Sequence, residues 1–283
     1  LIWQATHGWP QLDMARSISQ NDGASNRGDL LPLQVLLMGP LLFPVWIAGF
    51  WWLLRNERTR LVRPIAWAYP VLLVATFLGG GKGYYFVPLL FVYLAAGAVV
   101  LDRWIHTPTR AVVVGAAVAL TAVASAFLAL PLLPVRDVGD SVVADVNPET
   151  LETVGWPRFV DQVAAVVASL PPDQRASVVL FTANYGEAGA IDRFGPARGL
   201  PRAYSGHNSY SDWGIPPDSA GPVVLTGFSD RRYLDPYWTD CRIAAHVDDG
   251  VGVDNDEQGL PIWVCDAPVR PWADMWDDVT HYD

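Results

Sequence analysis

Hydrophobic and polar positions give this chain two textures. Up to about residue 135 the apolar positions form long unbroken runs, and beyond it they form short runs and stripes separated by polar turns. Residues 31–54 carry no charged side chain over 24 positions, and residues 111–135 carry none over 25. At a rise of about 1.5 Å per residue, either run makes a helix long enough to cross a hydrocarbon core of about 30 Å. Between them, residues 64–101 form a 38-residue stretch whose only charge is Lys82. As one helix it would measure about 57 Å, far more than the core, so it is expected to fold back. Gly79, Gly80, Gly81 and Gly83 surround Lys82, and glycine at that density favours a turn over a continuing helix. The pattern predicts four transmembrane helices, over 31–54, about 64–80, 84–101 and 111–135.

In the second half, residues 157–170 read as a helix, with Pro157 in its first turn and Phe159, Val163, Val166, Val167 and Leu170 forming its apolar stripe. Residues 177–182 read as a buried strand and 186–194 as a second helix. Further strands are expected over 222–226, 241–247 and 261–265, with a polar stretch around 229–237. Alternating strands and helices point to a small α/β domain of three layers. The expected fold is therefore a membrane α-helical region followed by a small extracytoplasmic α/β domain. Its parts are a juxtamembrane segment over 1–30, the four-helix region over 31–135 and the α/β domain over 136–283.

Charge sharpens the division. Residues 1–135 stand at +4 and residues 136–283 at −14, and an acidic second half argues against nucleic-acid binding. Arg55, Arg58, Arg60 and Arg63 fall between the first two predicted spans, and Arg103 and Arg110 between the last two. The positive-inside rule places both loops in the cytoplasm, so the Lys82 turn, the N-terminal segment and the acidic domain are expected on the opposite side of the cell membrane. Trp46, Trp51, Trp52 and Trp104 then fall near the cytoplasmic interface. The chain starts at Leu1 without a Met or a signal-peptide pattern, and it is expected to be the C-terminal piece of a longer polypeptide.

Several features bear on chemistry. Lys82 is the only lysine beside eighteen arginines, and Tyr84 and Tyr85 follow it. A compact ammonium and two phenols at headgroup depth suit a phosphate or pyrophosphate whose hydrocarbon tail stays in the bilayer, although snorkelling lysines and interfacial tyrosines are common. Thr182-Ala-Asn-Tyr-Gly-Glu-Ala-Gly-Ala-Ile-Asp192 ends a strand and opens a helix, where Asn184, Tyr185 and Glu187 either meet a sugar or cap the helix. Tyr204-Ser-Gly-His-Asn-Ser-Tyr-Ser-Asp-Trp-Gly214 offers His207, Asn208, Tyr210 and Trp213 as hydroxyl and stacking partners. Ser205 or Ser209 beside His207 lacks the spacing of a nucleophile elbow, so an ordered polar loop is the better reading. The run Asp248, Asp249, Asp254, Asp256 and Glu257 misses calcium-loop spacing and reads as a solvated acidic loop. Cys241 and Cys265 read as a disulfide in an extracytoplasmic domain, with two buried thiols as the alternative.

Together, Trp3-Gln4, Gly8-Trp9-Pro10, Gly81-Lys82-Gly83-Tyr84-Tyr85, the block from Asn184 to Asp192, Ser205-Gly206-His207-Asn208-Ser209-Tyr210 and Trp213-Gly214 resemble bacterial membrane glycosyltransferases of the protein O-mannosyltransferase type. These are similar to the lipid A aminoarabinose transferases and have the GT-C architecture. The resemblance implies an enzyme that takes a sugar from a polyprenyl-phosphate carrier and passes it to a glycan, lipid or protein acceptor outside the cytoplasmic membrane. It carries Lys82, Tyr84 and Tyr85 over as neighbours of the carrier phosphate. The catalytic carboxylate of such enzymes lies in a first extracytoplasmic loop, upstream of Leu1, so no catalytic residue is assigned here. No cofactor is assigned either, and a divalent cation in the complete enzyme stays open. Two competitors remain: a membrane-anchored carbohydrate-binding or sensor protein without catalysis, and a transporter, which the uncharged spans disfavour.

Overall fold

The computed structural model describes residues 1–218 and 221–282. The chain divides into two compact units, Leu1–Leu130 and Pro131–Asp283. The first is helical: α1 (Ile2–Thr6), α2 (Pro10–Asn21), α3 (Gly23–Met38), α4 (Phe43–Arg55), α5 (Arg63–Gly79), α6 (Val87–Trp104) and α7 (Pro108–Ala129). With their leading 3-10 turns, Glu57–Gly79 and Gly83–Trp104 are long and apolar enough to cross a membrane, as is α7. Gly23–Met38 and Pro40–Arg55 pass the same test only as a pair, bent by 88°. Three such helices, or four if the bent pair is one span, mark the chain as membrane-associated.

The bend corrects the expectation of one straight helix over 31–54. Gly39 adopts φ +80° and Pro40 follows it. A left-handed residue followed by one without an N–H ends the ladder of helical hydrogen bonds. The bend also accommodates a neighbour, since a Cβ on Gly39 would fall 2.3 Å from Thr121 Cγ2 on α7. The segment over 1–30 is helical, and the last span stops at Ala129, ahead of Pro131 and Pro134. Trp46 is a further correction, because at 3% exposure it packs in the helical core against Phe43 and Tyr69. Trp51 and Trp104 do stay half-exposed, each with a guanidinium 4.5 Å from its ring, that of Arg55 and that of Arg110.

The core of this unit lies between α4 and α6, joined by α3 and α5 through Leu30, Ala66, Phe86, Leu90 and Tyr93. Several polar groups within it are paired, although the indole N–H groups of Trp46 and Trp52 are buried without a hydrogen-bond partner among the described residues. The Tyr69 hydroxyl donates to Gln34 Oε1 at 2.9 Å, Gln34 donates to the Leu30 carbonyl, and the Tyr93 hydroxyl donates to the Ile65 carbonyl at 2.8 Å. An apolar surround makes an unpaired polar group costly, so these bonds fix how the helices face one another.

In the second unit, the short helices α8 (Val135–Val138) and α9 (Val142–Val146) lead into α10 (Trp156–Ser169), and α11 (Pro172–Arg175) leads into β1 (Val179–Thr182). There follow α12 (Tyr185–Phe194), β2 (Ala203–Ser205), β3 (Val223–Thr226), β4 (Trp238–Thr239), β5 (Arg242–His246), β6 (Pro261–Cys265), β7 (Ala267–Pro268) and α13 (Trp272–Val279). The main sheet has the order β2-β1-β3-β6-β5, with the first three strands parallel and β6 and β5 antiparallel. Helices α10 and α12 cover one face through Val163, Val167, Ala188 and Ile191. Trp272, Met275 and Trp276 of α13 cover the other. The sheet is therefore the middle of three layers, and β1 and β3 are buried at every position, as apolar runs of that length require.

Cys241 and Cys265 form a disulfide that ties the start of edge strand β5 to the end of β6. Both half-cystines are buried. The bond closes a loop across a separation of 24 residues. Replacing both cysteines by serine is expected to cost about 3 kcal/mol, roughly 10 °C in Tm, measured by thermal unfolding of the variant beside the parent with and without reductant.

Candidate functional site

The membrane-like unit and the sheet unit each hold residues singled out by the sequence. In the first, α5 ends in Gly80 at φ +66°, with Gly81 N–H donating to the Thr76 carbonyl at 3.0 Å, and a 3-10 turn over Gly83–Phe86 opens α6. This is the expected turn. Lys82 occupies it with its side chain 36% exposed, and Tyr84 and Tyr85 are 47% and 52% exposed with their rings edge-on. The ammonium lies 3.9 Å from Asp22 Oδ2. A half-exposed pair at that distance contributes little, so it orients Lys82 without occupying it.

The residues that build this turn escaped the sequence reading. Arg27 donates from Nε to the Phe77 carbonyl at 2.9 Å and from its terminal nitrogens to the Leu78 and Gly23 carbonyls. Asn26 Nδ2 donates to the Gly80 carbonyl at 2.9 Å. The first turn of α3 thereby caps the last carbonyls of α5, whose negative dipole end attracts the guanidinium. Gly23 and Gly80 approach so closely that a Cβ on Gly80 would sit 2.9 Å from Gly23 Cα. The signal in the sequence was faint: Arg27 is one of two arginines, with Arg16, in the segment before the first apolar run.

In the second unit, β1 leads through α12 to β2 on one side, whereas β3 lies on the other side of β1. The carboxyl ends of β1 and β3 thus form a topological switch point, the place where open α/β sheets bind ligands. The block from Asn184 to Asp192 stands there. Asn184 Oδ1 accepts the Glu187 N–H at 2.9 Å, and Glu187 Oε2 accepts the Asn184 N–H at 3.3 Å. In this capping box the two side chains close the first turn of α12, and Glu187 is 1% exposed. Gly227, at φ +81°, backs onto the carboxylate, and a Cβ there would fall 2.5 Å from Glu187 Oε2.

Burial, with the Glu257 carboxylate as a lesser repulsive partner, pushes the Glu187 pKa up to about 8. The unfolded chain then loses this proton near pH 4.5 while the folded chain keeps it to about pH 8, so folding takes up a proton in that window and stability falls as pH rises through it. The slope from this group is about 1.4 kcal/mol per pH unit. Glu187→Gln keeps the cap without the ionisation, and its stability relative to the parent is expected to grow steadily between pH 5 and pH 8 in urea unfolding.

The acidic run is solvated as expected at Asp248, Asp254 and Asp256, whereas Asp249 and Glu257 turn inward. Asp249 is 9% exposed and accepts backbone N–H groups from Val251, Gly252 and Val253 at 2.6 to 2.9 Å. Glu257 is 8% exposed, and burial raises its pKa. Asp248 pairs with Arg158 at 2.8 Å. The reason is that a carboxylate collecting three amides organises the loop around itself.

The other expected contacts part company. The Tyr210 hydroxyl donates to Asp192, whose second oxygen accepts the Ala203 N–H at 2.8 Å, and burial with that carboxylate raises the phenol above its usual range. Trp213 stays 64% exposed with its ring 4.7 Å from that of Tyr210. Tyr185 is 53% exposed and lies 4.8 Å from His207, which stacks on His281 at 4.7 Å. Asn208 Nδ2 sits 2.7 Å from His207 Nε2, and the Asn208 N–H donates to the His281 carbonyl. So Tyr185, His207 and Asn208 come together with a residue from the last strand-like segment, which sequence spacing did not connect.

Beside this group lies a cavity of about 200 Å³ whose walls include Phe228, Tyr233, Tyr237 and Trp238. Sequence reading passed over these as a polar stretch, although four aromatics in eleven positions were a usable signal. No cluster of three or more His, Cys, Asp or Glu side chains able to hold a metal ion occurs among the described residues. Comparison of the chain with protein-family models, curated proteins and solved structures returns no match.

Proposed function

We propose that the chain is the C-terminal part of a polyprenyl-phosphate-sugar-dependent glycosyltransferase that passes a sugar from a lipid carrier to an extracytoplasmic glycan, lipid or protein. In this reading the bent pair counts as one crossing, the Arg55–Arg63 and Arg103–Arg110 loops face the cytoplasm, and the Lys82 turn and the sheet unit face outward. The observation that carries it is the lone lysine, part-exposed two residues ahead of the exposed pair Tyr84 and Tyr85 at the turn joining two membrane-length helices.

The chemistry follows from that position. As the bond between the sugar's anomeric carbon and the carrier oxygen breaks, the leaving polyprenyl phosphate gains negative charge. The Lys82 ammonium stabilises that charge, and the two phenols are placed to donate to the phosphate oxygens. The acceptor hydroxyl forms the new bond and gives up its proton to a base that is not assigned to any residue here. Because the charge develops along the reaction, the cation acts more on turnover than on carrier binding.

Membranes containing the complete protein, supplied with radiolabelled polyprenyl-phosphate sugars, test the reading. Time-dependent movement of label from lipid to an acceptor is the expected result. Failure of every carrier sugar to react, with sugar still bound by the protein, would favour the carbohydrate-binding or sensor alternative.

A further inference from the structure

The aromatic cavity beside the switch point has a chemistry of its own. Phe181 lies in β1, Phe228 follows β3, and Tyr237 and Trp238 come from the excursion before β5. Their rings lie 5.5 to 5.7 Å from that of Trp238 in the pairs with Phe181, Phe228 and Tyr237. Such a wall offers flat faces to the axial C–H groups of a sugar ring. The volume of about 200 Å³ suits one monosaccharide and little more.

Polar groups stand where ring hydroxyls need them. Asp278, paired with Arg270, and His281 close one side. The Asp278 carboxylate keeps lone pairs beyond that ion pair, and both groups stay half-exposed or more. Trp238, at 2% exposure, backs the wall without opening its indole N–H onto the cavity, so the polar side chains that line it for a ligand are Asp278 and His281.

We infer that this cavity is a monosaccharide-binding subsite, in which a pyranose or furanose ring lies on Tyr237 and Phe228 while its hydroxyls meet Asp278 and His281. The inference moves sugar recognition away from Asn184, Glu187 and Tyr210, whose polar atoms serve the fold. It rests on the proposed function only for the role of the bound sugar, which belongs either to the lipid-linked donor or to the acceptor glycan.

Saturation-transfer NMR on the full chain in lipid nanodiscs tests it with a panel of methyl hexosides and pentosides, without any transfer reaction. Transfer to the sugar C–H protons by at least one glycoside is expected, with dissociation constants on the order of millimolar for ligands of about a dozen non-hydrogen atoms. Asp278→Asn, which keeps the shape and removes the charge, and Tyr237→Ala are each expected to weaken binding about tenfold with unfolding temperatures still close to the parent. Competition by the same sugar on a short prenyl phosphate identifies the donor as the source, and its failure to compete identifies the acceptor, with the site supported either way. Silence across the panel, preference for cyclohexylmethanol over every sugar, or undiminished binding by both variants would overturn the inference. Absence of sugar binding by the unmodified protein, with carrier turnover intact, would remove this subsite and leave the transferase reading standing.

Discussion

Lys82→Ala in the complete enzyme is expected to lower turnover about a hundredfold while the Michaelis constant for the lipid-linked sugar changes little. The magnitude is that of removing one preorganised donor from a developing anion. The fold should tolerate the change, because the Lys82 side chain is 36% exposed and its ion pair to Asp22 is long and solvated. The turn itself is held by Arg27 and Asn26 on the carbonyls of Phe77, Leu78 and Gly80, so its shape does not depend on the ammonium. Lys82→Arg keeps the charge and changes its geometry, and it is expected to recover part of the turnover. Arg27→Ala should behave differently, by lowering the unfolding temperature along with activity. Steady-state kinetics on reconstituted protein separate these outcomes.

Gly97→Val is expected to cost about 3 kcal/mol or more and to reduce the amount of protein that accumulates in membranes. Helices α4 and α6 touch backbone to backbone at this point. A Cβ on Gly97 would fall 2.0 Å from the Val45 carbonyl oxygen, and one on Gly49 would fall 1.9 Å from the Tyr93 carbonyl oxygen. Neither neighbour is the flexible end of a side chain, so the helices would have to separate. Separation would loosen the packing of Trp46, Leu90 and Tyr93, in a lipid environment where close van der Waals contact drives helix association. Gly115→Val on α7 is the matched control, since an added Cβ there meets nothing within 4 Å. Thermal unfolding of the two variants in detergent should separate them clearly.

How much of this was legible in the sequence depended on how local the cause was. The strands Val179–Thr182 and Val223–Thr226 read as buried runs because helices cover both of their faces, and the helix Trp156–Ser169 read from its stripe. The Lys82 turn was visible because length forbade a single helix. The break at Gly39 and Pro40 carried its own punctuation, yet an uncharged run of 24 residues outweighed it. Composition reports whether a segment is apolar and says little about its direction.

The candidate sites were harder for a physical reason. Asn184 and Glu187 stand at the spacing of a capping box, but spacing does not say that Gly227 will close over the carboxylate and bury it. Arg27 and Phe77 are 50 residues apart, as His207 and His281 are 74 apart, and pairings over such separations leave no periodic trace. Trp238 and Asp278 reach one cavity only because α13 packs on the same sheet face as the excursion before β5. Local chemistry named the neighbourhood of the switch point, and topology chose which side chains open onto it.

The arrangement across the bilayer can be read directly by labelling. Both cysteines are consumed by the disulfide and no free thiol remains among the described residues, so a single introduced cysteine reports its own side. Gly79, exposed beside the Lys82 turn with nothing within 4 Å of an added Cβ, and Arg60, exposed in the arginine-rich loop, are suitable positions. With a membrane-impermeant maleimide on intact cells, Gly79→Cys is expected to label at once and Arg60→Cys only after permeabilisation. Labelling of Arg60→Cys in intact cells, with Gly79→Cys protected until the membrane is opened, would put the lone lysine on the cytoplasmic side and contradict the account.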